Sequence, residues 1–127
     1  MISPKVVCHS LLSRLCLTCL ALLSCGSWLS ANPVVYKAGN SSKGKHLVFV
    51  ASDHEYRAEE TLPALARILA VHHGFDCTVL FGLNKEGEIE AGASNIPGLE
   101  VLKDADGMVI FTRFLALPPD QMKHIDD

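Results

Sequence analysis

Six polar and aromatic residues follow directly on an apolar segment, and their types and spacing could do chemistry. The apolar segment is Leu47 to Ala51, and the residues after it are Ser52, Asp53, His54, Glu55, Tyr56 and Arg57. An imidazole that titrates near neutral pH and a carboxylate can transfer protons. We therefore predict His54 and Glu55 as catalytic residues.

The other side chains of this run suit the binding of a polar ligand. Asp53 can accept hydrogen bonds from hydroxyl groups, Tyr56 offers a ring face, and Arg57 can donate two parallel hydrogen bonds. Arg113, which follows a later apolar run, offers the same fork of donors. We predict these four as substrate-binding residues. A simpler alternative is that Asp53 only caps a turn and that Arg57 pairs with Glu60 on the surface.

A metal site built on Asp53, His54 and Glu55 is disfavoured, because residues adjacent in sequence rarely all face one ion. We therefore predict neither a metal nor another cofactor.

The elements that position these residues follow from apolar patterns. Leu47 to Ala51 is short, unbroken and rich in β-branched and aromatic residues, which is typical of a parallel strand covered on both faces. Ligands of open α/β sheets bind beyond the carboxyl ends of such strands, where residues 52–57 lie. Two further runs of this kind, Phe75 to Phe81 and Gly107 to Thr112, predict two more strands. Arg113 would therefore emerge at the same edge of the sheet.

Helices are predicted between these strands. The residues that recur at helical spacing after the first strand are Leu62, Leu65, Leu69 and His72, with Ala66 and Ile68 widening the stripe. Pro63 suits the first turn of this helix, and Gly74 suits the position that ends it. A long connection, Gly82 to Gly98, precedes a possible short helix at residues 99–104.

The last predicted helix opens near Pro119. Its residues Met122 and Ile125 are predicted to face inward. Strands and helices thus alternate along the chain, an order that predicts an α/β fold with a parallel sheet.

The N-terminal residues resemble an export signal. Lys5 and Arg14 flank an apolar segment, Leu15 to Leu23, that is too short to span a bilayer but suits a secretory signal. We predict a signal peptide over residues 1–31, a linker over residues 32–44 and the folded domain over residues 45–127. The alternative is a lipoprotein whose lipidated Cys25 tethers the domain to a membrane.

The charge of the predicted mature chain restricts the class of partner it can bind, and the position of its cysteine indicates the role of that thiol. From Asn32 onward the chain has nine lysines and arginines and fourteen aspartates and glutamates, a net charge of −5 with histidine neutral. No basic stripe that could bind a nucleic-acid backbone is present, so we expect a small molecule or a protein as partner. Cys77 lies within a predicted strand and is expected to be an inert core thiol.

The motifs, taken in order, resemble the N-terminal part of a ThuA-like (trehalose utilisation) domain. The segments that carry this resemblance are residues 52–57, Glu59-Glu-Thr-Leu-Pro63, Gly74-Phe75 with Thr78-Val-Leu-Phe81, Ala105-Asp106 with Val109-Ile-Phe-Thr-Arg-Phe114, and residues 121–127. The resemblance covers residues 45–127. It implies a fold similar to class I glutamine amidotransferases, a flavodoxin-like three-layer sandwich with a parallel sheet. Family members continue with further strands, so the chain resembles a truncated half of about three strands.

The resemblance also implies a role in carbohydrate utilisation. The substrate would be a trehalose-like or oxidised sugar bound between the first and third predicted strands, which are neighbours in a flavodoxin-like order. Glutaminase activity is not implied, because that chemistry needs a cysteine on a strand-to-helix turn and Cys77 lies in mid-strand. The alternative is a noncatalytic sugar-binding or interaction module that uses the same cleft.

Overall fold

A computed structural model describes residues 33–39, 42 and 44–126. The elements are strands β1 (Val34–Tyr36), β2 (Lys45–Ser52), β3 (Phe75–Phe81) and β4 (Gly107–Thr112), helices α1 (Ala58–His73) and α2 (Pro119–Asp126), and a 3₁₀ helix (Leu99–Asp104). The predicted signal peptide and the alternative lipidation site at Cys25 lie outside the described residues. Within them, no helix has the length and apolar character needed to cross a membrane.

The four strands form one mixed sheet in the order β1-β3-β2-β4. β2 pairs in parallel with both β3 and β4, whereas β1 pairs antiparallel with β3. The predicted parallel pairing is therefore confirmed for β2, β3 and β4. The prediction of an entirely parallel sheet is wrong, because β1 is antiparallel. Val34–Tyr36 was predicted as linker, but its β-branched and aromatic residues pair with the otherwise open edge of β3.

Two apolar clusters cover the two faces of the sheet. On one face, Phe49 and Val79 pack with α1. On the other, Val48 and Leu80 pack with Ile96 of the long connection and with Leu99 of the 3₁₀ helix. The connection from β3 to β4 therefore passes β2 on the face opposite α1.

The helix α1 begins and ends as its packing requires. Gly74 ends it with a φ of 74° and donates its N–H to the carbonyl of Leu69, as predicted. The start is earlier than predicted, because Ala58 is fully buried and Arg57 O accepts the first backbone bonds. Pro63 therefore lies inside the helix rather than in its first turn, which corrects the prediction.

The buried face of α1 is rotated from the predicted leucine stripe. Its buried residues are Ala58, Leu62, Ala66 and Ala70, spaced four apart. The predicted inward positions of Leu62 and Ala66 are confirmed. Leu65 and Ile68, also predicted to face the core, are 41% and 50% exposed, and His72 is exposed as well. The alanines allow close approach to the sheet, and close packing selects this face over the bulkier one.

The last helix packs loosely against the second cluster. Ile125 is half-buried there, as predicted, but Met122 is 42% exposed, so its predicted inward orientation is wrong. None of the described residues of α2 is buried. The helix instead positions Gln121, whose Oε1 accepts the N–H of Ile96 at 2.8 Å.

A polar clamp joins the amino ends of β2 and β4. Asp106 accepts hydrogen bonds from Lys45 Nζ at 2.6 Å and from the N–H of His46 at 2.8 Å. These two bonds lower the pKa of Asp106. The hydrogen bond between Lys45 and Asp106 also raises the pKa of Lys45. The pKa of Asp76 is also lowered, first by the hydrogen bond that it accepts from Ala38 N. These carboxylates fix the edge of the sheet opposite to the one that carries the predicted site.

Candidate ligand-binding site at the carboxyl edge of the sheet

The parallel pairing of β2 and β4 brings the two predicted loops together. Ser52 lies opposite Thr112 at the ends of these strands. The loop that follows Ser52 and the loop that begins at Arg113 therefore leave the sheet at the same edge. The two strands are neighbours, as the predicted site requires.

Asp53 shapes the first loop. Its side chain is buried, and its Oδ1 accepts the backbone N–H of Glu55 at 2.8 Å and of Tyr56 at 2.7 Å. These two bonds form the turn that was expected if Asp53 only caps a turn. The turn holds the next three side chains, including His54, at the exposed side of the edge.

Two contacts connect the first loop to β4 and its following residue. Arg113 forms an ion pair with Oε2 of Glu55. The rings of Tyr56 and Phe111 meet edge to face, with 6.0 Å between their centroids. Glu55, Tyr56 and Arg113, three of the predicted site residues, therefore belong to one constellation.

A third contact adds His54 to the same constellation. Its ring centroid lies 6.1 Å from that of Phe114. The guanidinium carbon of Arg113 lies 4.7 Å from the same Phe114 centroid, which is cation–π geometry. Phe114 is therefore the residue that joins the predicted proton donor to the predicted arginine. We call the six residues His54, Glu55, Tyr56, Phe111, Arg113 and Phe114 the edge cluster.

The connection between β3 and the 3₁₀ helix supports the edge cluster from one side. Ser52 Oγ donates to the carbonyl of Ala93 at 2.8 Å. A Cβ at Gly92 would lie 3.1 Å from Cβ of His54, so the backbone of this connection passes directly beside the histidine. A Cβ at Gly82 would lie 2.2 Å from Ser52 Oγ, which leaves no room for a side chain. The long connection from Gly82 to Gly98 is thus packed against the site.

The start of α1 holds the remaining predicted residue. Arg57 has a φ of 54° and forms an ion pair with Glu60. This is the surface pair that the simpler alternative predicted. It is not one of the side chains that bridge the two loops. Nearby, Glu59 lies in the first turn of α1, and its Oε2 is buried without a hydrogen-bond partner. Whether Arg57 binds a ligand stays a prediction.

The sequence interpretation missed Phe111 and Phe114. Phe111 is the next-to-last residue of the apolar run Gly107 to Thr112, and Phe114 directly follows Arg113. The signal was present, since aromatic residues at or just beyond the end of a strand lie beside its carboxyl edge. Their exposures of 41% and 81% could not be read from the pattern.

The edge cluster lies on an open, solvent-exposed surface. His54, Glu55 and Tyr56 are all exposed. Four shallow depressions lie along α1 or around α2, and none of these four includes a member of the edge cluster. Among the described residues, no group of three or more histidine, cysteine, aspartate or glutamate side chains could hold a metal ion.

No protein-family model, curated protein or solved structure matches the chain. The chemistry of the site therefore rests on its own geometry.

Proposed function

We propose that the edge cluster binds a carbohydrate and that the chain is a ThuA-like domain protein of carbohydrate utilisation. The observation that carries this proposal is the convergence of an ion pair and exposed aromatic rings at the carboxyl edge of two adjacent parallel strands. Open α/β sheets bind their ligands at such edges. The ThuA-like resemblance of residues 45–127 supplies the proposed family.

The chemistry of the edge cluster suits a sugar. A sugar ring presents hydroxyl groups around its rim and an apolar face of C–H bonds. Arg113 can donate to hydroxyl oxygens, and Glu55 can accept from hydroxyl groups. The ring of Tyr56, 62% exposed, offers an apolar surface beside them. Polar rim and apolar face would thus each have a partner.

The order of the parallel strands supports a flavodoxin-like fold. Taken in chain order, the three parallel strands lie as second, first, third, namely β3-β2-β4. This is the start of a flavodoxin-like sheet, in which the ligand site lies between the first and third strands. The edge cluster lies between those two strands. The flavodoxin-like assignment is part of this proposal.

In a catalytic version of this function, His54 is the proton-transfer residue. Its imidazole lies at the exposed edge, within reach of a ligand that contacts Phe114. Glu55 is held by Arg113, which favours a role in binding hydroxyl groups over proton transfer. This ion pair also supports the second candidate, a noncatalytic sugar-binding or interaction module.

We also propose that the domain acts after export. The charge and apolar pattern of residues 1–31, which resembles a signal peptide, supports this proposal. Lipidation of Cys25 is the alternative route, and it would leave the same domain attached to a membrane.

The experiment is a titration of the isotope-labelled protein with trehalose and with glucuronate, an oxidised sugar that keeps its ring, followed by amide NMR. We expect shifts at residues 53–57 and 113–114, and at least tenfold weaker binding in His54→Ala and in Arg113→Ala. Arg67→Ala and His73→Ala are matched controls, because both side chains are exposed on α1 away from the edge cluster. Unchanged affinity in both site variants, for a sugar that the parent binds, would reject the site.

The same samples separate the two candidate functions. Proton NMR of the sugar over several hours would reveal a new product if the protein is an enzyme. Product formation that disappears in His54→Ala supports catalysis. Binding without any change in the sugar supports the noncatalytic module.

A further inference from the structure

Phe114 has a backbone conformation that its side chain disfavours. Its φ is 55°, in the left-handed region, where bulky residues are rare because Cβ crowds the following carbonyl. Such strain persists only where the surrounding structure imposes it, and it concentrates at binding and catalytic sites. Glycine would adopt this conformation without steric strain.

Folding alone does not explain why a phenylalanine is present. The residue is 81% exposed, so its ring gains little from burial. Its contacts are with Arg113 at 4.7 Å and with His54 at 6.1 Å, both of which belong to the edge cluster. A strained backbone thus presents an open aromatic ring beside the two residues that we expect to contact a ligand.

We propose that Phe114 is the stacking platform of the site and that it selects cyclic sugars over open-chain polyols. This inference rests on the proposed function. A pyranose has a flat face of C–H bonds that can lie on an aromatic ring, whereas an open-chain polyol has no such rigid face. The hydroxyl groups at the rim of the stacked sugar then lie beside the guanidinium of Arg113, which already contacts the ring. Phe114 therefore determines specificity rather than chemistry.

Three substitutions separate the ring from the strain of the backbone. Phe114→Tyr keeps the aromatic platform, Phe114→Ala removes the ring but keeps a Cβ at positive φ, and Phe114→Gly removes both. Ile68→Ala is the matched control, because Ile68 is also an exposed apolar residue, at 50%, but lies on α1. Each variant of the 127-residue chain is titrated with trehalose and methyl glucoside as cyclic ligands and with glucitol as the open-chain ligand.

We expect the parent to bind the cyclic sugars more tightly than glucitol. Phe114→Ala and Phe114→Gly should weaken binding of the cyclic sugars about tenfold and leave glucitol affinity unchanged, while Phe114→Tyr and the control stay within twofold of the parent. Phe114→Gly should also melt several degrees above Phe114→Ala, because the strain is relieved.

The outcomes distinguish this inference from the proposed function. If Phe114→Ala binds trehalose as the parent does while Arg113→Ala binds it weakly, the site stands and the platform is overturned. Equal loss of glucitol and trehalose affinity would also overturn the platform, since selection of a ring would be absent. A parent that binds none of these ligands would overturn both proposals. A Phe114→Gly variant that melts below Phe114→Ala would show that the backbone is not strained and would overturn the argument without reference to any sugar.

Discussion

The turn made by Asp53 gives the sharpest test of how the site is built. Its Oδ1 accepts the backbone N–H groups of Glu55 and Tyr56 at 2.8 and 2.7 Å. Asp53→Ala removes both bonds, each worth about 1 kcal/mol net, so we expect a loss of about 2 kcal/mol. Asp53→Asn keeps a carbonyl oxygen in the same position and should lose less than half as much.

The two variants are compared by thermal melting and by urea unfolding. For a domain of this size, about 2 kcal/mol corresponds to a decrease in Tm of roughly 8 to 16 °C. Equal destabilisation by Asp53→Asn and Asp53→Ala would refute the reasoning, because the charge rather than the acceptor geometry would then be required. If Asp53→Asn folds normally but loses sugar binding, Asp53 contacts the ligand directly, as the sequence predicted.

Three further predictions test the fold. The pKa of Asp106 is lowered, so this carboxylate stabilises the fold at pH values above its ordinary pKa of 3.8, and the stabilisation is lost as pH falls through the folded-state pKa. In urea unfolding, the parent should therefore be more stable than Asp106→Asn at pH 6, and the difference should shrink toward pH 2.5. Ala66→Glu should cost about 3 kcal/mol or more in chemical unfolding because Ala66 is fully buried, whereas Leu65→Glu should cost about 1 kcal/mol or less; the reverse order would refute the rotated helix face. Burial, and then the charge of Asp76, raise the pKa of the Cys77 thiol, so alkylation read by mass spectrometry of its peptide should be slow until urea is added; rapid labelling of the native protein would contradict this.

The three parallel strands and the end of the first helix could be predicted from local pattern. Phe75–Phe81 and Gly107–Thr112 have the bounds that their apolar runs indicate, and Gly74 ends α1 in the left-handed conformation. These features are local, because a run of β-branched residues and a glycine after a periodic segment restrict their own backbone. The edge that carries the candidate site follows from the same information, since loops after parallel strands share one edge.

Packing decided the features that the pattern could not. Leucines and alanines of α1 both recur at helical spacing, and the choice of the alanine face depends on how closely the helix approaches Phe49 and Val79. The antiparallel addition of β1 depends on the open edge of β3, which exists only after the sheet has formed.

The partners within the site were likewise decided by the tertiary structure. The sequence placed Glu55 and Arg113 in loops at the same edge, but their ion pair requires β2 and β4 to be adjacent and in one register. The contact of Phe114 with His54 depends on the same register. Composition and periodicity along the chain restrict which residues reach an edge of the sheet. Which of them meet is set by the order of the strands, because side chains 58 residues apart in sequence come into contact only through that order.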